Sequence, residues 1–405
     1  SVDRAAEDYA FAWTQHYPVI VTKRLLFLVC AVLLMESFFS AVLTPLVPSY
    51  REELGLTDGA TGVLVAAYAA GSLLLALPAG WFASRFNPRN AVILGLLGVG
   101  VSSVLFGFAG HLAVLEVSRF FLGAFGTLLW AGGLSWVISA SAVDKRGQVM
   151  GVLLAAAVAG ELVGQPVGAL ADEVGTEKVF GGMLVLALLL AALARTVPAA
   201  AEADGQSAHQ AIRAVRESGV RAWLLALLAV IGPSTALGAV LLIAPLRFDD
   251  LGLSAWLLAG AFLAMSLVEM LVGPVAGRVS DRVGRTNPYL VGLAIMALCL
   301  ILVALVPSFW LFALVLAAYA AGSGFAFTTS MTLVTDLATE AGLNQGYSSA
   351  ASAIGWAGGV IIGAILGGLL VSAMGYLGGV LVMAALLVII GVVTYKSAKP
   401  RIPGR

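Results

Sequence analysis

The chain has 405 residues, of which 60% are hydrophobic and 11% are charged, and its formal net charge is zero. A soluble domain of this length would carry roughly 25% charged residues, so most of the surface cannot face water. The balanced charge gives no basic face and excludes a nucleic-acid partner. The 47 glycines are typical of closely packed membrane helices. The composition therefore predicts an integral membrane protein.

Twelve apolar runs are long enough to cross a bilayer, for which about 20 residues are needed. The last two runs are separated by little more than Met374 and Gly375, so they divide on length alone. We predict an all-α membrane protein with twelve transmembrane helices in two six-helix bundles. The runs lie at 25–48, 59–80, 89–110, 112–136, 147–170, 179–197, 221–246, 254–277, 288–306, 308–335, 346–371 and 374–395.

A polar stretch at mid-chain, 198–220, has six apolar runs on either side and is interpreted as a linker between the bundles. The predicted organisation is a cytoplasmic N-terminal segment (1–24), an N-terminal bundle (25–197), this cytoplasmic linker, a C-terminal bundle (221–395) and a cytoplasmic tail (396–405). Most Lys and Arg residues of the short loops fall on one side, and only Arg51, Lys178 and Arg247 fall on the other. This asymmetry places both termini in the cytoplasm, and we expect a multi-pass protein of the plasma membrane.

The two halves resemble each other in sequence. Gly160, Gly164 and Gly168 recur at a constant offset as Gly359, Gly363 and Gly367, and Gly80 and Arg85 recur at nearly the same offset as Gly277 and Arg282. Such a repeat predicts two bundles related by a pseudo-two-fold axis along the membrane normal.

Four ionisable residues lie deep in the apolar runs: Glu36, Arg119, Glu161 and Glu269. Each would cost roughly 2.5 kcal/mol or more against lipid, so each is expected to face the protein interior or a wet cavity. The third, sixth, ninth and twelfth runs have no central charge, which predicts that those four helices lie outside and that the other eight surround a central path.

Polar and aromatic residues near these charges are candidates for a cavity lining. They are Ser40, Thr44, Trp130, Gln165, Tyr319 and Trp356. An alternative is that the charges form structural ion pairs, for example Glu36 with Arg119. Three acids and one base cannot all pair, however, so at least one acid holds a proton or receives an external cation. A net-acidic cavity favours cationic substrates.

Metal and cofactor chemistry have no support in the sequence. The two cysteines, Cys30 and Cys299, are isolated, and the three histidines lie outside or at the edge of the apolar runs. We therefore expect no metal site, no cofactor and no histidine proton relay.

The loop from Gly277 to Arg285 (GRVSDRVGR) resembles a signature of the major facilitator superfamily. Its first-half counterpart, from Gly80 to Arg89, keeps the glycine and both arginines but has Ser84 in place of the aspartate. In that family the loop latches a cytoplasmic gate through charge pairs, so the resemblance does not assign the aspartate role in the first half, where Arg85 could pair with Asp144 instead. The gating residues that the resemblance implies are Gly80, Arg85, Arg89, Asp144, Gly277, Asp281, Arg282, Gly284 and Arg285.

Two further segments are similar to motifs of the twelve-helix drug:proton antiporter branch. One runs from Arg119 to Gly126, where the family's arginine is implicated in proton transfer. The other runs from Gly160 to Ala169, where Gly160, Gly164 and Gly168 would also form a packing ridge and Pro166 a bend point. The resemblance implies a proton-coupled secondary transporter that exports amphipathic or cationic small molecules by alternating access, with the proton gradient as its energy source.

Two alternative functions make different demands on the same residues. A carrier for a specific metabolite, such as a sugar, an organic anion or a lipid-like solute, would use Arg119 to hold an anionic group. A membrane-embedded enzyme would need a nucleophile and base or a metal constellation within the apolar runs, and none is found, so no enzymatic activity is expected. The expected partners are a small-molecule substrate, protons and the lipid bilayer, and we expect a monomer.

Overall fold

The computed structural model describes residues 23–141, 146–199 and 206–397, and the described chain is helical without a β-strand. We number the α-helices in chain order and call each passage through the bilayer a crossing. The helices are α1 (Lys23–Ala41), α2 (Val47–Leu54), α3 (Asp58–Arg85), α4 (Pro88–Gly107), α5 (Leu112–Ser139), α6 (Arg146–Val174), α7 (Thr176–Thr196), α8 (Ala208–Asp250), α9 (Ala255–Val283), α10 (Thr286–Leu305), α11 (Phe309–Glu340) and α12 (Gln345–Ser397).

The first crossing is interrupted near its end. The predicted run 25–48 begins as α1, which ends at Ala41, and a short 3₁₀ turn over Thr44–Leu46 leads into α2. Pro45 and Pro48 lack the backbone N–H that a continuous helix would need, which accounts for the break. Together α1, the turn and α2 form the first of the helices long and apolar enough to cross a membrane.

Helix α8 joins the mid-chain linker to the seventh crossing. It begins after a capping box in which the Ser207 side chain accepts from the Gln210 backbone and the Gln210 side chain accepts from Ser207. The helix breaks at Gly219, which has a φ of 102°. Glycine adopts this value readily, whereas other residues would be strained. The crossing proper follows this break.

Helix α12 contains two crossings. Its 53 residues would extend about 80 Å, well beyond the roughly 30 Å of a hydrocarbon core. The helix breaks at Gly375, where φ is 71° and ψ is 175°. A Cβ built on Gly379 would lie 3.1 Å from the Val371 backbone nitrogen, a contact that requires the chain to fold back. The 11 candidate membrane-crossing helices of the described chain therefore make twelve crossings, and the predicted all-α fold is confirmed.

Each half has its own hydrophobic core. Large, fully buried side chains of the first bundle include Phe39, Phe106 and Trp136. Those of the second bundle include Phe262 and Phe312. Two cores of this kind are what two packed bundles require.

Glycine ridges repeat in the two halves. A Cβ on Gly160 would overlap the Leu34 carbonyl oxygen of α1, and a Cβ on Gly164 would lie 2.8 Å from the Phe38 carbonyl oxygen. In the second half a Cβ on Gly363 would overlap the Thr235 carbonyl oxygen of α8. The fifth and eleventh crossings thus pack in the same manner against the first and seventh, as a pseudo-two-fold relation demands.

The bundles meet along α3 and α12. A Cβ on Gly368 would lie 2.5 Å from the Asp58 carbonyl oxygen near one end of α3. Gly80 and Gly346 approach each other near its other end, where a Cβ on either would lie 2.9 Å from the carbonyl oxygen of its partner. Small residues therefore bring the two backbones together near both ends of α3.

Candidate functional site

A cavity of about 290 Å³ lies between the two bundles. Its wall is contributed by crossings 1, 2, 4 and 5 of the first half and by crossings 7, 8, 10 and 11 of the second. Among the described residues, no wall residue comes from the third, sixth, ninth or twelfth crossing. The prediction that eight helices surround a central path is therefore confirmed. The polar and aromatic residues of the wall are Ser40, Thr44, Tyr68, Arg119, Glu161, Gln165, Phe262, Ser266, Glu269, Phe327 and Trp356.

Glu36 is buried beside this cavity, with 6% of its surface exposed. Its carboxyl group accepts three hydrogen bonds: from the Tyr68 hydroxyl, from Trp130 Nε1 at 2.5 Å and from Ser37 Oγ at 3.3 Å. Tyr68 belongs to the cavity wall, whereas Glu36 does not. Trp130, which was predicted to line the cavity, is not part of its described wall and contacts the site through Glu36.

Arg119 is also buried, with 3% exposure. Its Nη1 donates to the Phe39 carbonyl oxygen at 2.6 Å, and its Cζ lies 4.8 Å from the centroid of the Tyr68 ring. No ion pair of Arg119 occurs in the described part of the chain, so the alternative of a Glu36–Arg119 pair is wrong. Tyr68 separates the two charges: its ring contacts the guanidinium and its hydroxyl contacts the carboxyl group.

Tyr68 has a central role that the sequence did not reveal. A tyrosine within an apolar run carries no charge and no special spacing. Its position depends on the close packing of α3 against α5, where a Cβ on Gly71 or Gly123 would overlap the backbone of the other helix. No pattern in a single sequence indicates that contact.

Glu161 and Glu269 stand on the cavity wall on opposite bundles, on α6 and α9. Ser323 Oγ donates to Glu269 Oε1 at 2.9 Å. Glu161 has no hydrogen-bond or ion-pair partner among the described residues, and its carboxyl group interacts electrostatically with those of Glu269 and Glu36. The structure thus brings together all four predicted intramembrane charges.

The remaining predicted lining residues divide into two groups. Ser40, Thr44, Gln165 and Trp356 lie on the wall, and the Trp356 ring meets the Tyr68 ring edge-on at 6.5 Å. The prediction for Tyr319 needs correction, because this residue is fully buried in the core of the second bundle. The sequence of an apolar helix does not reveal which side of α11 enters this core.

The predicted loop motif forms a charge pair in the second half. Arg285 Nη2 lies 2.8 Å from Asp336 Oδ2 of α11, and Arg285 Nη1 lies 4.0 Å from Asp281 Oδ1. Gly277 and Arg282 lie on α9, which ends at Val283 with Gly284 as its C-cap. Asp336 is a partner that the sequence did not identify.

The corresponding loop of the first half is arranged differently. Gly80 contacts Gly346, Arg89 Nη1 donates to the Val197 carbonyl oxygen at 3.5 Å, and Arg85 is exposed. The predicted pairing of Arg85 with Asp144 lies outside the described residues.

The opposite membrane face carries contacts between the bundles. We define the Arg51 cluster as Arg51, Asp58, Asp249 and Asp250. Arg51 lies 2.8 Å from Asp58, 3.7 Å from Asp249 and 3.9 Å from Asp250, so one cation of the first half holds acids of both halves.

A hydrogen bond on the same face joins the fifth and eighth crossings. Trp256 Nε1 donates to Glu173 Oε1 at 2.6 Å. The Arg51 cluster and this bond together tie the two bundles on the face where residues 51–58 lie.

Two six-helix bundles around a central cavity with buried charges define a membrane transport protein rather than an enzyme. The family model for the Major Facilitator Superfamily matches residues 29–360 and 262–405. The chain belongs to this superfamily, and the resemblance seen in its loop motif is confirmed.

Characterised relatives and solved structures agree with that placement. The chain is 27% identical over 165 residues to Multidrug resistance protein 2 of Bacillus subtilis (strain 168), covering 40% of this chain and 41% of that protein. It is 26% identical over 149 residues to Quinolone resistance protein NorA of Staphylococcus aureus (strain MRSA252), covering 36% and 38%. The chain thus matches about two fifths of the length of these relatives. The crystal structure of a D-xylose–proton symporter superposes with a TM-score of 0.74 at 17% identity, covering 92% of this chain and 97% of that one.

Proposed function

We propose that the protein is a proton-coupled secondary transporter that exports amphipathic or cationic small molecules by alternating access. The observation that carries this proposal is the buried chain of contacts from Glu36 through Tyr68 to Arg119, at the edge of a cavity between two bundles. The proton gradient would supply the energy. A monomer in the plasma membrane with both termini in the cytoplasm remains our expectation.

Glu36 is the proposed proton carrier. A carboxyl group removed from water favours its neutral form, whereas donated hydrogen bonds and a nearby positive charge favour the ionised form. Glu36 experiences opposing influences, because it is buried and its carboxyl group accepts three hydrogen bonds. Small changes in this surrounding can therefore shift the balance between holding and releasing a proton.

The cavity favours a positively charged, partly apolar substrate. Its wall holds Glu161, Glu269 and a single cation, Arg119, together with apolar and aromatic side chains such as Met265 and Trp356. The multidrug and quinolone resistance proteins among the relatives support drug efflux, and they do not point to a particular drug.

Alternating access would come from rocking of the bundles. The Arg51 cluster ties them on one face, and the close approach of Gly80 and Gly346 ties α3 to α12 near the other. A cycle that opens one set of contacts while closing the other would expose the cavity to one side at a time.

The test is transport in proteoliposomes under an imposed pH gradient, with a fluorescent organic cation as substrate. We expect the wild-type protein to move the cation against the proton flux and Glu36→Gln to abolish the pH-driven component. Glu340→Gln, which changes an exposed acid at the end of α11, should behave as wild type. Cation transport that is equally pH-driven in Glu36→Gln would refute the assignment of Glu36.

A second candidate function is a carrier for an anionic metabolite. The observation in its favour is Arg119, which lies on the cavity wall and has a buried Nε without a hydrogen-bond partner. In the same vesicles, saturable transport of an organic anion with no transport of cations would favour this function and overturn the first.

A further inference from the structure

Gln165 is an unusual residue on the cavity wall. Only 3% of its surface is exposed, and its Oε1 atom has no hydrogen-bond partner among the residues that the structure describes. Leaving a buried acceptor unpaired is unfavourable. Because Gln165 faces the cavity, a bound molecule that brings a hydrogen-bond donor would remove this cost.

Glu161 lies one helical turn before Gln165, so the two side chains share a face of α6. Its carboxyl group has no hydrogen-bond or ion-pair partner in the described chain. When both are ionised, it is repelled by the carboxyl group of Glu269 on the other bundle. Glu269 is held by a single donor, Ser323. Three polar side chains with unused acceptor capacity therefore meet in one cavity.

Glu36 is unsuited to the same task. Its carboxyl group already accepts three hydrogen bonds, and it lies outside the cavity wall behind Tyr68. Arg119 would repel a cation that came close to it. The other polar groups of the wall, such as Ser40 and Ser266, are neutral.

We propose that Glu161, Gln165 and Glu269 form a binding site for a protonated amine, with the N–H groups of the cation shared between the two bundles. The inference rests on the proposed function and names the substrate class of its cavity. A primary, secondary or tertiary ammonium offers one to three N–H donors, whereas a quaternary ammonium has equal charge and no donor. A quaternary cation would satisfy the two carboxylates electrostatically but leave Gln165 Oε1 unpaired.

The size of the expected discrimination follows from that unpaired acceptor. A cost of about 1.4 kcal/mol corresponds to a tenfold difference in Kd. We therefore expect the site to bind an amine at least about tenfold more tightly than the matched quaternary compound.

The experiment compares propranolol with its N-methylated quaternary derivative, by calorimetry on the purified full chain in lipid nanodiscs at a pH where propranolol is protonated. Gln165→Leu should reduce the preference for propranolol to within about twofold, by weakening amine binding and leaving the quaternary compound unchanged. Gln165→Glu keeps an acceptor at the position and should keep the preference. Glu269→Gln should weaken the binding of both compounds. Glu340→Gln should leave the affinity for both unchanged.

Two outcomes would overturn the inference: equal affinity of the wild-type protein for both compounds, or an intact preference in a folded Gln165→Leu variant. Either result combined with proton-driven, Glu36-dependent cation transport in vesicles would leave the proposed function standing. If neither compound binds and no pH-driven cation transport occurs, the inference and the proposed function both fail.

Discussion

At the scale of single residues, the site is organised by a neutral side chain between two charges. The Tyr68 hydroxyl donates a hydrogen bond to the Glu36 carboxyl group, and the Tyr68 ring lies against the Arg119 guanidinium. The guanidinium and the carboxyl group therefore contact the same tyrosine and form no direct ion pair. In the proposed cycle the carboxyl group exchanges a proton without breaking a buried ion pair, which would cost several kcal/mol.

Replacing Tyr68 by phenylalanine tests this role. Tyr68→Phe keeps the ring beneath Arg119 and removes only the hydroxyl donor to Glu36. We expect the pH-driven transport rate to fall about tenfold, which is the effect of losing one hydrogen bond to a charged group. The Kd for a cationic substrate, measured by calorimetry, should change by less than about threefold, because Glu161 and Glu269 remain.

Ser37→Ala is the matched control for that variant. It removes the longest of the three hydrogen bonds to Glu36, at 3.3 Å, and should reduce transport less than Tyr68→Phe does. If Tyr68→Phe transports at the wild-type rate, the hydroxyl contact has no part in proton coupling.

The charged residues of the site could be predicted from the sequence, but their partners could not. Glu36, Arg119, Glu161 and Glu269 were found because a charge in an apolar run is costly against lipid, which requires it to face inward. Which inward group each one contacts depends on helix rotation and packing. For that reason the alternative of a Glu36–Arg119 pair and the predicted wall position of Tyr319 were wrong.

At the scale of helices, glycine ridges set the distance between the crossings that carry the acids. Gly160 and Gly164 let α6 approach the backbone of α1, the helix that holds Glu36. Glu161 follows Gly160 directly, so the same contact fixes its position near the cavity. Packing and site geometry are thus coupled on one helix.

A methyl group at this contact should be destabilising. Gly160→Ala would place its Cβ against the Leu34 carbonyl oxygen and force α6 away from α1. Overpacking of this kind costs about 1–3 kcal/mol, and we expect the melting temperature in detergent to fall by about 5 °C. Gly182→Ala is the control, because Gly182 is an exposed helical glycine with open space around its Cβ position. An equal fall in both variants would argue against the ridge contact.

The positions of the helices could be predicted from the length and polarity of the apolar runs. The breaks within them depend on single prolines and glycines, which run length does not show. The run 25–48 is interrupted because Pro45 and Pro48 stand near its end. The boundary between the last two runs was placed near Met374 and Gly375 on length alone, and the break lies at Gly375 because this residue adopts a positive φ. Both breaks lie at positions of special backbone chemistry, which are prolines in the first case and a glycine in the second.

At the scale of the whole molecule, the two halves share an architecture but not a set of charges. The first half contributes Glu36, Arg119 and Glu161, and the second contributes Glu269. The amine site proposed above needs residues of both halves, whereas the Glu36–Tyr68–Arg119 contacts lie within the first. In this proposal a substrate bridges the bundles and the proton is handled by one of them.

We expect the Arg51 cluster to keep the cavity closed on the membrane face where the cluster lies. Arg51→Gln removes the cation that holds Asp58, Asp249 and Asp250, so openings on this face should become more frequent. We expect a cysteine introduced at Ser40, on the cavity wall, to react several-fold faster with a membrane-impermeant maleimide supplied from that side. The native cysteines, Cys30 and Cys299, would be replaced by serine in the same background.

Lys178→Gln is the control for cavity labelling. Lys178 lies near the same face, and its Nζ donates to the Val174 carbonyl oxygen within the first half. Its loss should leave the labelling rate unchanged. A labelling rate that does not rise in Arg51→Gln would show that the cluster does not restrain the bundles.

The tight reversal at Gly375 has a consequence for how the protein is made. The helical segments before and after it are joined without a stretch of polar residues, and the described chain is apolar on both sides of the turn. Few polar residues therefore have to cross the lipid when these two helical segments insert. During synthesis the two segments can therefore enter the bilayer together as one helical hairpin, each shielding the other, once both have emerged from the ribosome.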